Sequence, residues 1–452
     1  MIKKIFSSFV RSMPQCTVRL VNQLTAFILF SILSLSLIFS GCSNSVIINT
    51  EDSPHIILGT WCPFIGTKNN EYVDMKTVFK ELTQAGFNQA VVDLPNNEFR
   101  NWILKRAETN NIKLVVIPPM NFNIDNPDTL KKFLGKLFQS PEFSGLYIMD
   151  EPSAKDFEKL ARIKKISESV LPDGKFDLAC LFPNYASPEQ LGADSYEKYV
   201  SKYIEIVKPK LLCYDHYPIT NAVRNSSGTG TKDLFGFLSN LSIIRKAAYK
   251  AGIPFWNVIQ SWGYINVKPA PNIYEYRWMM NMTLALGGDG VIAFPFRNCY
   301  KEGEGPEKWK DAPITLDGQP TFEYDVVKQC NSEIRAFDKA FSQFRNVGVI
   351  LYNPKNYFSE ALTGDYIKTD YSPLKSISGA GSIVIGCMDK NGQKGLYVAN
   401  ASFKNGADIA LNMNKKHVYE ILGKSGMELH TSGNNLTVKL DKGEAKFIAF
   451  AK

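Results

Sequence analysis

Apolar runs alternate with segments of helical periodicity through most of the chain. The runs include VVDL, LVVI, LYIM, LACLF, LLCY and VIAF, a composition typical of strands buried on both faces of a parallel sheet. They predict strands at 55–64, 88–94, 112–118, 146–150, 176–182, 210–217, 253–262 and 290–296. Helical patterns follow at 74–85, 97–110, 127–138, 154–170, 195–207, 232–251, 272–286 and 323–344.

A repeat of roughly 30–40 residues is typical of βαβ units, so the fold class is α/β. Two architectures fit this order: a doubly wound open sheet and a closed (β/α)8 TIM barrel. Eight units and the lack of a glycine-rich phosphate loop favour the barrel, which we place at residues 55–344. Long connections at 220–231 and 297–321 would lie at the C-terminal ends of the strands and shape a cleft.

The pattern changes at about residue 345. Short strand-like runs follow, among them VGVILY, IVIGCM, GLYVANAS, DIALNM, VYEIL, LTVKL and FIAF. Residues 389–392 and 441–443 have the composition of hairpin turns. We therefore predict a small C-terminal all-β sandwich domain over residues 345–452.

The N-terminus has the features of an export signal. Four basic residues precede an apolar run at 24–39, and the run ends in Phe39-Ser40-Gly41-Cys42. This tetrapeptide resembles a bacterial lipobox, which implies a lipoprotein signal peptide at 1–41, lipidation of Cys42 and a polar tether at 42–54. The resemblance places the protein outside the cytoplasm in the bacterial cell envelope, anchored to the outer membrane. An uncleaved anchor helix is the alternative.

Charge and composition narrow the function. Removing residues 1–41 takes away four basic residues and no acidic ones, which lowers the formal net charge from +8 to +4. With no basic stripe, nothing indicates a nucleic-acid partner. The chain has four histidines and no HxH or HExxH pattern, so a histidine-rich zinc site is not expected, and neither is a cofactor. The remaining cysteines form no CxxC pair. Cys62, Cys180 and Cys213 lie in or beside apolar strands, where we expect buried free thiols; an export context also permits a disulfide, which the spacing does not identify.

The fourth strand ends in two adjacent carboxylates, Asp150-Glu151-Pro152. Active sites of (β/α)8 barrels lie at this end of the strands, and glycoside hydrolysis uses two carboxyl groups. Glu151 is the predicted general acid, because an aromatic cleft would raise its pKa; its alternative role is that of a helix N-terminal carboxylate. At a strand end, one member of the Asp150–Glu151 pair should face the pocket and the other brace a loop. Asp215, at the end of strand six, is either the second catalytic carboxyl group or a loop cap.

Other residues at this end of the barrel are candidates for holding an oligo- or polysaccharide. They are polar or aromatic, and they follow the strand ends. The predicted substrate-binding residues are Trp61, Asp93, Asn184, His216, Tyr217, Gln260, Trp262 and Arg297.

The chain resembles glycoside hydrolases at several short motifs. Asp150-Glu151-Pro152 is similar to the Asn-Glu-Pro of clan A barrels, in which the Glu is the acid/base. The segment ALGGDGVIAFPF (285–296) resembles their approach to strand eight. The segment 314–321, the helix that carries Asn331, Glu333 and Ile334, and the C-terminal LDKGEAKFIAFAK resemble family 42 β-galactosidases and their trailing β module. Gln260 stands where clan A carries its nucleophilic Glu.

Three hypotheses follow from these resemblances. In the first, Asp150 and Glu151 act like the Asp-Glu pair of family 20 and family 123 hexosaminidases, with the substrate's acetamido group as nucleophile. In the second, Glu151 pairs with Asp215 on an ordinary glycoside. In the third, catalysis has been lost and the protein is a lipid-anchored carbohydrate-binding protein. We favour a membrane-anchored, extracytoplasmic glycoside hydrolase.

Overall fold

The computed structural model describes residues 56–61, 75–94, 97–119, 122–124, 126–226, 232–300, 303–304, 308–353 and 360–452. The predicted signal peptide, the lipidation site Cys42 and the tether lie outside these residues. The described residues belong to one compact unit, Val46–Lys452. None of the helices in this part of the chain is long and apolar enough to cross a membrane.

Eight parallel strands close into a barrel in which each strand pairs with the next and the eighth pairs with the first. The strands are β1 (Ile57–Trp61), β2 (Gln89–Asp93), β3 (Lys113–Ile117), β4 (Phe143–Asp150), β5 (Phe176–Leu181), β6 (Leu212–His216), β7 (Phe255–Gln260) and β8 (Gly290–Phe294). The predicted closed barrel is confirmed, and every strand lies at its predicted position.

The helices surround the barrel and follow the predicted order. They are α1 (Met75–Gln84), α2 (Asn97–Asn110), α3 (Pro127–Leu134), α4 (Phe157–Val170), α5 (Pro188–Leu191), α6 (Tyr196–Val207), α7 (Asn221–Asn225), α8 (Lys232–Ala251), α9 (Ile273–Ala285), α10 (Phe322–Arg335) and α11 (Asp338–Gln343). The pattern predicted as one helix at 323–344 is therefore divided into α10 and α11. Capping boxes start α5 at Ser187 and α9 at Asn272, which explains why both helices begin where they do.

Successive strand residues point to opposite faces and so supply two separate cores. One set packs inside the barrel, for example Val91, Leu178 and Ile292. The intervening residues, such as Val92, Ala179 and Val291, pack outward against the helices. Both faces of each strand are buried, which is why the strands read as continuous apolar runs.

The C-terminal residues form an antiparallel seven-stranded sheet, which confirms the predicted all-β domain. Its strands are β9 (Arg345–Tyr352), β10 (Leu374–Ala380), β11 (Ile383–Lys390), β12 (Gln393–Asn400), β13 (Ala407–Gly423), β14 (Gly426–Leu440) and β15 (Ala445–Phe450). Hydrogen bonding connects all seven described strands into one sheet, in the order β9-β11-β12-β15-β13-β10 with β14 beside β13.

The long strand β13 joins two layers of this sheet. Its first half pairs with β10, its second half pairs with β15, and its register shifts between Asn412 and His417. Residues of both layers, among them Ile385, Val398, Leu411 and Val438, share one apolar core. The sheet thus encloses a sandwich-like core, although its two layers are continuous through β13.

The barrel and the C-terminal sheet are packed together through α9. The Trp278 indole N–H donates to the carbonyl of Ala401, at 3.0 Å. Arg277 makes a two-pronged ion pair with Glu333 of α10, at 2.6 and 2.8 Å, and donates to the carbonyl of Lys442. The Arg277 and Glu333 side chains are 4% and 10% exposed, so this ion pair is almost removed from solvent.

Replacing Arg277 tests how far this buried pair supports the junction. Arg277→Leu should lower the free energy of unfolding by about 3–5 kcal/mol, because it leaves the Glu333 carboxylate buried without its partner. Urea denaturation measures this loss. The double variant Arg277→Leu/Glu333→Leu should regain most of this loss. Lys198→Leu, which breaks the exposed pair with Asp194, should change the free energy of unfolding far less than Arg277→Leu does. Equal losses for the Arg277 and Lys198 variants would contradict this account.

Candidate active site

A cavity of about 210 Å³ lies at the C-terminal ends of the barrel strands. Its wall combines carboxyl groups with aromatic rings. The lining residues are Trp61, Asp150, Glu151, Cys180, Asp215, Tyr217, Val258, Trp262, Tyr264, Phe294 and Trp309. The structure therefore brings together six predicted site residues, from β1, β4, β6 and the segments that follow β4, β6 and β7.

A β-bulge in β4 brings Asp150 to this cavity. The register with β5 runs from Tyr147↔Leu178 to Met149↔Ala179, so Ile148 is an inserted residue. Tyr147 points into the barrel, whereas Ile148 and Met149 pack outward with the helices. In a regular strand Met149 would share the inward face of Tyr147; the insertion gives that face to Asp150.

Glu151 reaches the same cavity because the strand ends there. Its φ of 40° lies in the left-handed region, which breaks the alternation of side chains after Asp150. Its backbone N–H donates to the carbonyl of Cys180, at 2.9 Å. Asp150 and Glu151 therefore both line the cavity. Helix α4 begins only at Phe157, so Glu151 is not its N-terminal carboxylate.

Tyr147 supports Asp150 from inside the barrel. Its hydroxyl donates to Asp150 Oδ1 at 2.5 Å. Asp150 is reached by solvent through the cavity, but protein surrounds it on its other sides, and this burial raises its pKa. The hydrogen bonds from Tyr147 and from the Glu151 backbone lower the pKa and offset part of that rise.

Asp215 is the most deeply buried of the three carboxyl groups. The residue is 7% exposed, and its buried Oδ1 has no hydrogen-bond partner within the described part of the chain. Burial raises its pKa well above the usual range, and the negative charges of Glu151 and Asp150 raise it further. A hydrogen bond with Tyr217 only partly offsets these effects. Asp215 therefore favours the protonated form, and the three carboxyl groups cannot all be ionised cheaply.

Aromatic rings form much of the remaining wall. Trp61 meets Tyr147 edge to face at 4.7 Å, and Tyr217 meets Trp262 in the same way at 4.5 Å. The Trp262 indole nitrogen is buried and lacks a hydrogen-bond partner among the described residues. Rings of this kind offer apolar faces to a sugar.

Two predicted substrate contacts do not fit the structure. Gln260 is fully buried: its amide nitrogen donates to the carbonyls of Ile219, Trp262 and Pro269, and its oxygen accepts from the Ile219 backbone. Arg297 is 2% exposed and donates to the carbonyls of Thr315 and Leu316. Neither side chain lines the cavity, because both are used to hold loop backbone.

Three other predicted residues lie outside this cavity. Asp93 ends β2 on the inward-facing side. Its side chain is in contact with solvent, but the protein around the carboxyl group raises its pKa. His216 and Asn184 line a second, larger cavity between α8 and the loops after β5 and β6. His216 points away from the barrel interior because it alternates with Asp215 along β6.

Several residues of the site were not predicted from the sequence. Phe294 lines the cavity and Tyr147 supports Asp150 from below it. Both lie on inward-facing strand positions, so strand alternation could have identified them. Tyr264 and Trp309 come from short segments, Gly263–Tyr264 and Trp309–Lys310, that pair across two loops. No periodicity marks these segments in the sequence. No group of three or more His, Cys, Asp or Glu residues in the described ranges could hold a metal ion.

Among the comparisons with known proteins, only the one with solved structures found similar chains. No protein-family model and no curated protein matches this sequence. Among solved structures, the chain is similar to a catalytic mutant of a family 42 β-galactosidase from G. stearothermophilus, with 7% identity and a TM-score of 0.53 over 89% of this chain and 99% of that one. A family 39 glycoside hydrolase from Bacteroides cellulosilyticus WH2 has 12% identity and a TM-score of 0.48, over 88% and 81% of the two chains. At such identities the β-galactosidase match shows the fold, a barrel with a trailing β domain.

Replacing Asp215 tests its protonation. Between about pH 4 and the raised pKa of the folded protein, the unfolded chain ionises this aspartate and the folded chain does not, so its burial reduces stability increasingly as the pH rises. Asp215→Asn removes this cost and should raise the thermal midpoint at pH 7 by a few degrees, on the order of 1–3 °C. The gain over wild type should disappear at pH 4 in thermal scans. If Asp215→Asn instead has a lower thermal midpoint than wild type at pH 7, and this deficit disappears at pH 4, Asp215 is ionised and stabilising in the folded protein.

Proposed function

We propose that this protein is a glycoside hydrolase that cleaves O-glycosidic bonds of a glycan, with Glu151 as the general acid. The observation that carries this proposal is the grouping of Asp150, Glu151 and Asp215 on the wall of one aromatic cavity at the C-terminal end of the barrel. Oxocarbenium-like transition states require a proton for the leaving oxygen and a negative charge near the anomeric carbon, and this cluster offers both. No metal or cofactor is needed for either task.

Glu151 is the member of the cluster best placed to donate the proton. It lies at the end of β4 and is exposed within the cavity, where a glycosidic oxygen can reach it. Asp150 is held by Tyr147, so its orientation is fixed before substrate arrives. An oriented carboxylate beside the acid could hold an acetamido group in line with the anomeric carbon.

The burial of Asp215 bears on the choice between the two hydrolase hypotheses. A nucleophile or base must be ionised, and the raised pKa of Asp215 opposes this. A protonated Asp215 can still donate a hydrogen bond to the substrate. Burial therefore favours the hypothesis in which the substrate's acetamido group attacks and Asp150 orients it, over attack by Asp215.

A second candidate function is carbohydrate binding without catalysis. The buried amide of Gln260 occupies the β7 end, so no carboxylate comes from that strand to the cavity. A barrel with this wall would still bind sugars through its aromatic rings. Activity measurements on the variants below separate the two functions.

Replacing Glu151 tests the proposed acid. Glu151→Gln should lower kcat/KM by about 10²–10⁴-fold with an unchanged fold, because the amide keeps the shape and loses the transferable proton. A panel of aryl glycosides that includes N-acetylhexosaminides provides the assay, and circular dichroism checks the fold. Glu158→Gln, at an exposed position of α4, is the matched control and should retain full activity.

The same panel separates the hydrolase hypotheses. Release from N-acetylhexosaminides alone would support the acetamido mechanism, and release from plain glycosides with a strong loss in Asp215→Asn would support the Glu151–Asp215 pair. Full activity of Glu151→Gln would end its assignment as the acid. Absence of hydrolysis, combined with retention on a glycan array, would favour the binding protein.

We also propose that Cys42 carries a lipid that anchors the protein to the outer membrane of a bacterium. The lipobox-like tetrapeptide at 39–42 supports this proposal. In cells labelled with a fatty-acid analogue, the wild-type protein should take up the label and sediment with membranes, whereas Cys42→Ser should do neither. Cys16→Ser is the control and should keep the label. Membrane sedimentation of an unlabelled wild-type protein would instead favour an uncleaved anchor helix.

A further inference from the structure

A second cavity lies beside the carboxylate cavity and shares Tyr217 with it. It has a volume of about 540 Å³ and takes its wall from the loops after β5 and β6 and from the first turns of α8. The lining residues are Asn184, Tyr185, His216, Tyr217, Pro218, Thr220, Lys232, Asp233, Phe235, Gly236 and Lys268. Both cavities therefore open at the same end of the barrel.

Hydrogen bonding inside this wall leaves two acceptors available. The Asn240 side-chain oxygen accepts from the Asn184 backbone N–H at 2.8 Å and lies 3.0 Å from His216 Nδ1. An oxygen that faces Nδ1 requires this nitrogen to carry the proton, so His216 Nε2 is an acceptor. Burial lowers the pKa of His216 to about 3, which keeps the ring neutral. Asn184 uses its side-chain N–H to reach the Gly236 carbonyl at 3.0 Å, so its Oδ1 is the second acceptor.

The two acceptors converge on one place. A methyl group built on Gly236 would lie 3.8 Å from both His216 Nε2 and Asn184 Oδ1. The glycine therefore leaves open the space in which a hydroxyl group could donate to either atom. An apolar ligand in this space would remove both acceptors from water without offering them a hydrogen bond.

Charge and aromatic surface complete the wall. The Lys268 ammonium lies 5.7 Å from the ring of Tyr185, 5.6 Å from Tyr217 and 5.8 Å from Tyr264, and it donates to the Tyr217 carbonyl at 2.9 Å. These contacts hold one positive charge between the two cavities, since Tyr264 lines the first. Lys232 adds a second charge, while Asp233 accepts from the Thr220 hydroxyl. Tyr185 is 55% exposed, which presents its ring to a ligand.

We infer that the second cavity is a sugar-binding subsite that takes a unit bearing a carboxylate or sulfate group. The hydroxyl groups of the sugar donate to His216 and Asn184, its apolar face packs on Tyr185, and its anionic group lies near Lys268 and Lys232. This inference deepens the proposed function: the substrate would be an acidic glycan that spans Tyr217, with its cleaved bond at the carboxylate cavity. The subsite would serve a glycan-binding protein equally well.

Binding of the full-length protein in detergent to a glycan array tests the subsite. The array holds neutral, uronic-acid and sulfated oligosaccharides, and the bound glycans are then titrated by calorimetry. Acidic glycans should bind more tightly than neutral ones, and added NaCl should weaken the binding of the acidic glycans. Preference for uronic-acid or for sulfated members identifies the anionic group. Retention of neutral glycans alone, or of none, would overturn the inference.

Two substitutions locate the binding in this cavity. Gly236→Ala fits without steric overlap, since its methyl contacts are 3.6–3.8 Å, and alanine favours the helix, so the thermal midpoint should not fall. It fills the space between the acceptors and should weaken acidic-glycan binding at least tenfold. Lys268→Met should have a similar effect with loss of the salt dependence, whereas Lys339→Met removes an exposed charge from α11 and should change nothing. Unchanged affinity in both cavity variants would refute the assignment.

Hydrolysis by the wild-type protein is measured in parallel on aryl glycosides. Hydrolysis without acidic-glycan binding would overturn the subsite and leave the proposed function intact. Acidic-glycan binding that depends on Gly236 and Lys268, without hydrolysis of any substrate, would support the subsite and overturn the proposed hydrolase function.

Discussion

The residue inserted into β4 at Ile148 decides which side chains meet in the cavity. A closed parallel barrel has two buried faces, so each strand residue belongs either to the interior or to the layer beneath the helices. Without the insertion, Met149 would point inward and Asp150 would be driven into the apolar layer under the helices, where an ionised carboxylate has no compensating partner. The bulge interrupts the β4–β5 hydrogen-bond ladder at one position. It places Asp150 within hydrogen-bond distance of Tyr147, and Glu151, at a positive φ, follows it at the same cavity.

This arrangement concentrates acidic groups in an environment that opposes their ionisation. Asp215 enters from β6 on the inward-facing side, between Cys213 and Tyr217, and lies among rings contributed by several elements. The negative charges of Glu151 and Asp150 raise the pKa of Asp215, which burial has already raised. The hydrogen bond from Tyr147 opposes this effect at Asp150, because it lowers the pKa of that carboxyl group.

The sequence predicted the barrel because the pattern of apolar residues along the chain shows which positions are buried, and in this fold buried positions mark the strands. Both faces of the barrel strands are covered, so runs such as LVVI and LYIM gave strand positions directly. The outer strands of the C-terminal sheet alternate instead, as in LTVKL, because one of their faces meets solvent. Contacts with loop backbone were not predictable: Gln260 and Arg297 were selected for lying near strand ends, yet loop carbonyls bind both. The direction of His216 was predictable, because the alternation that turns Asp215 inward turns His216 outward. The bulge has no sequence signature, and Trp309 comes from a loop without periodicity.

Gln260 shows why the site cannot be a simple variant of a barrel with a carboxylate on β7. Its side-chain nitrogen faces three carbonyl oxygens, at 3.1, 3.2 and 3.1 Å, from the loops after β6 and β7. A carboxylate in this place has no hydrogen to donate and would meet these oxygens with a negative charge. The same loops carry Tyr217, Trp262 and Lys268, so the amide that stabilises them also positions the aromatic wall and the positive charge between the two cavities. A glutamate at this position would therefore require a different loop arrangement, and with it a different wall. The geometry of these loops leaves β4 and β6 to supply the carboxyl groups that face the cavity.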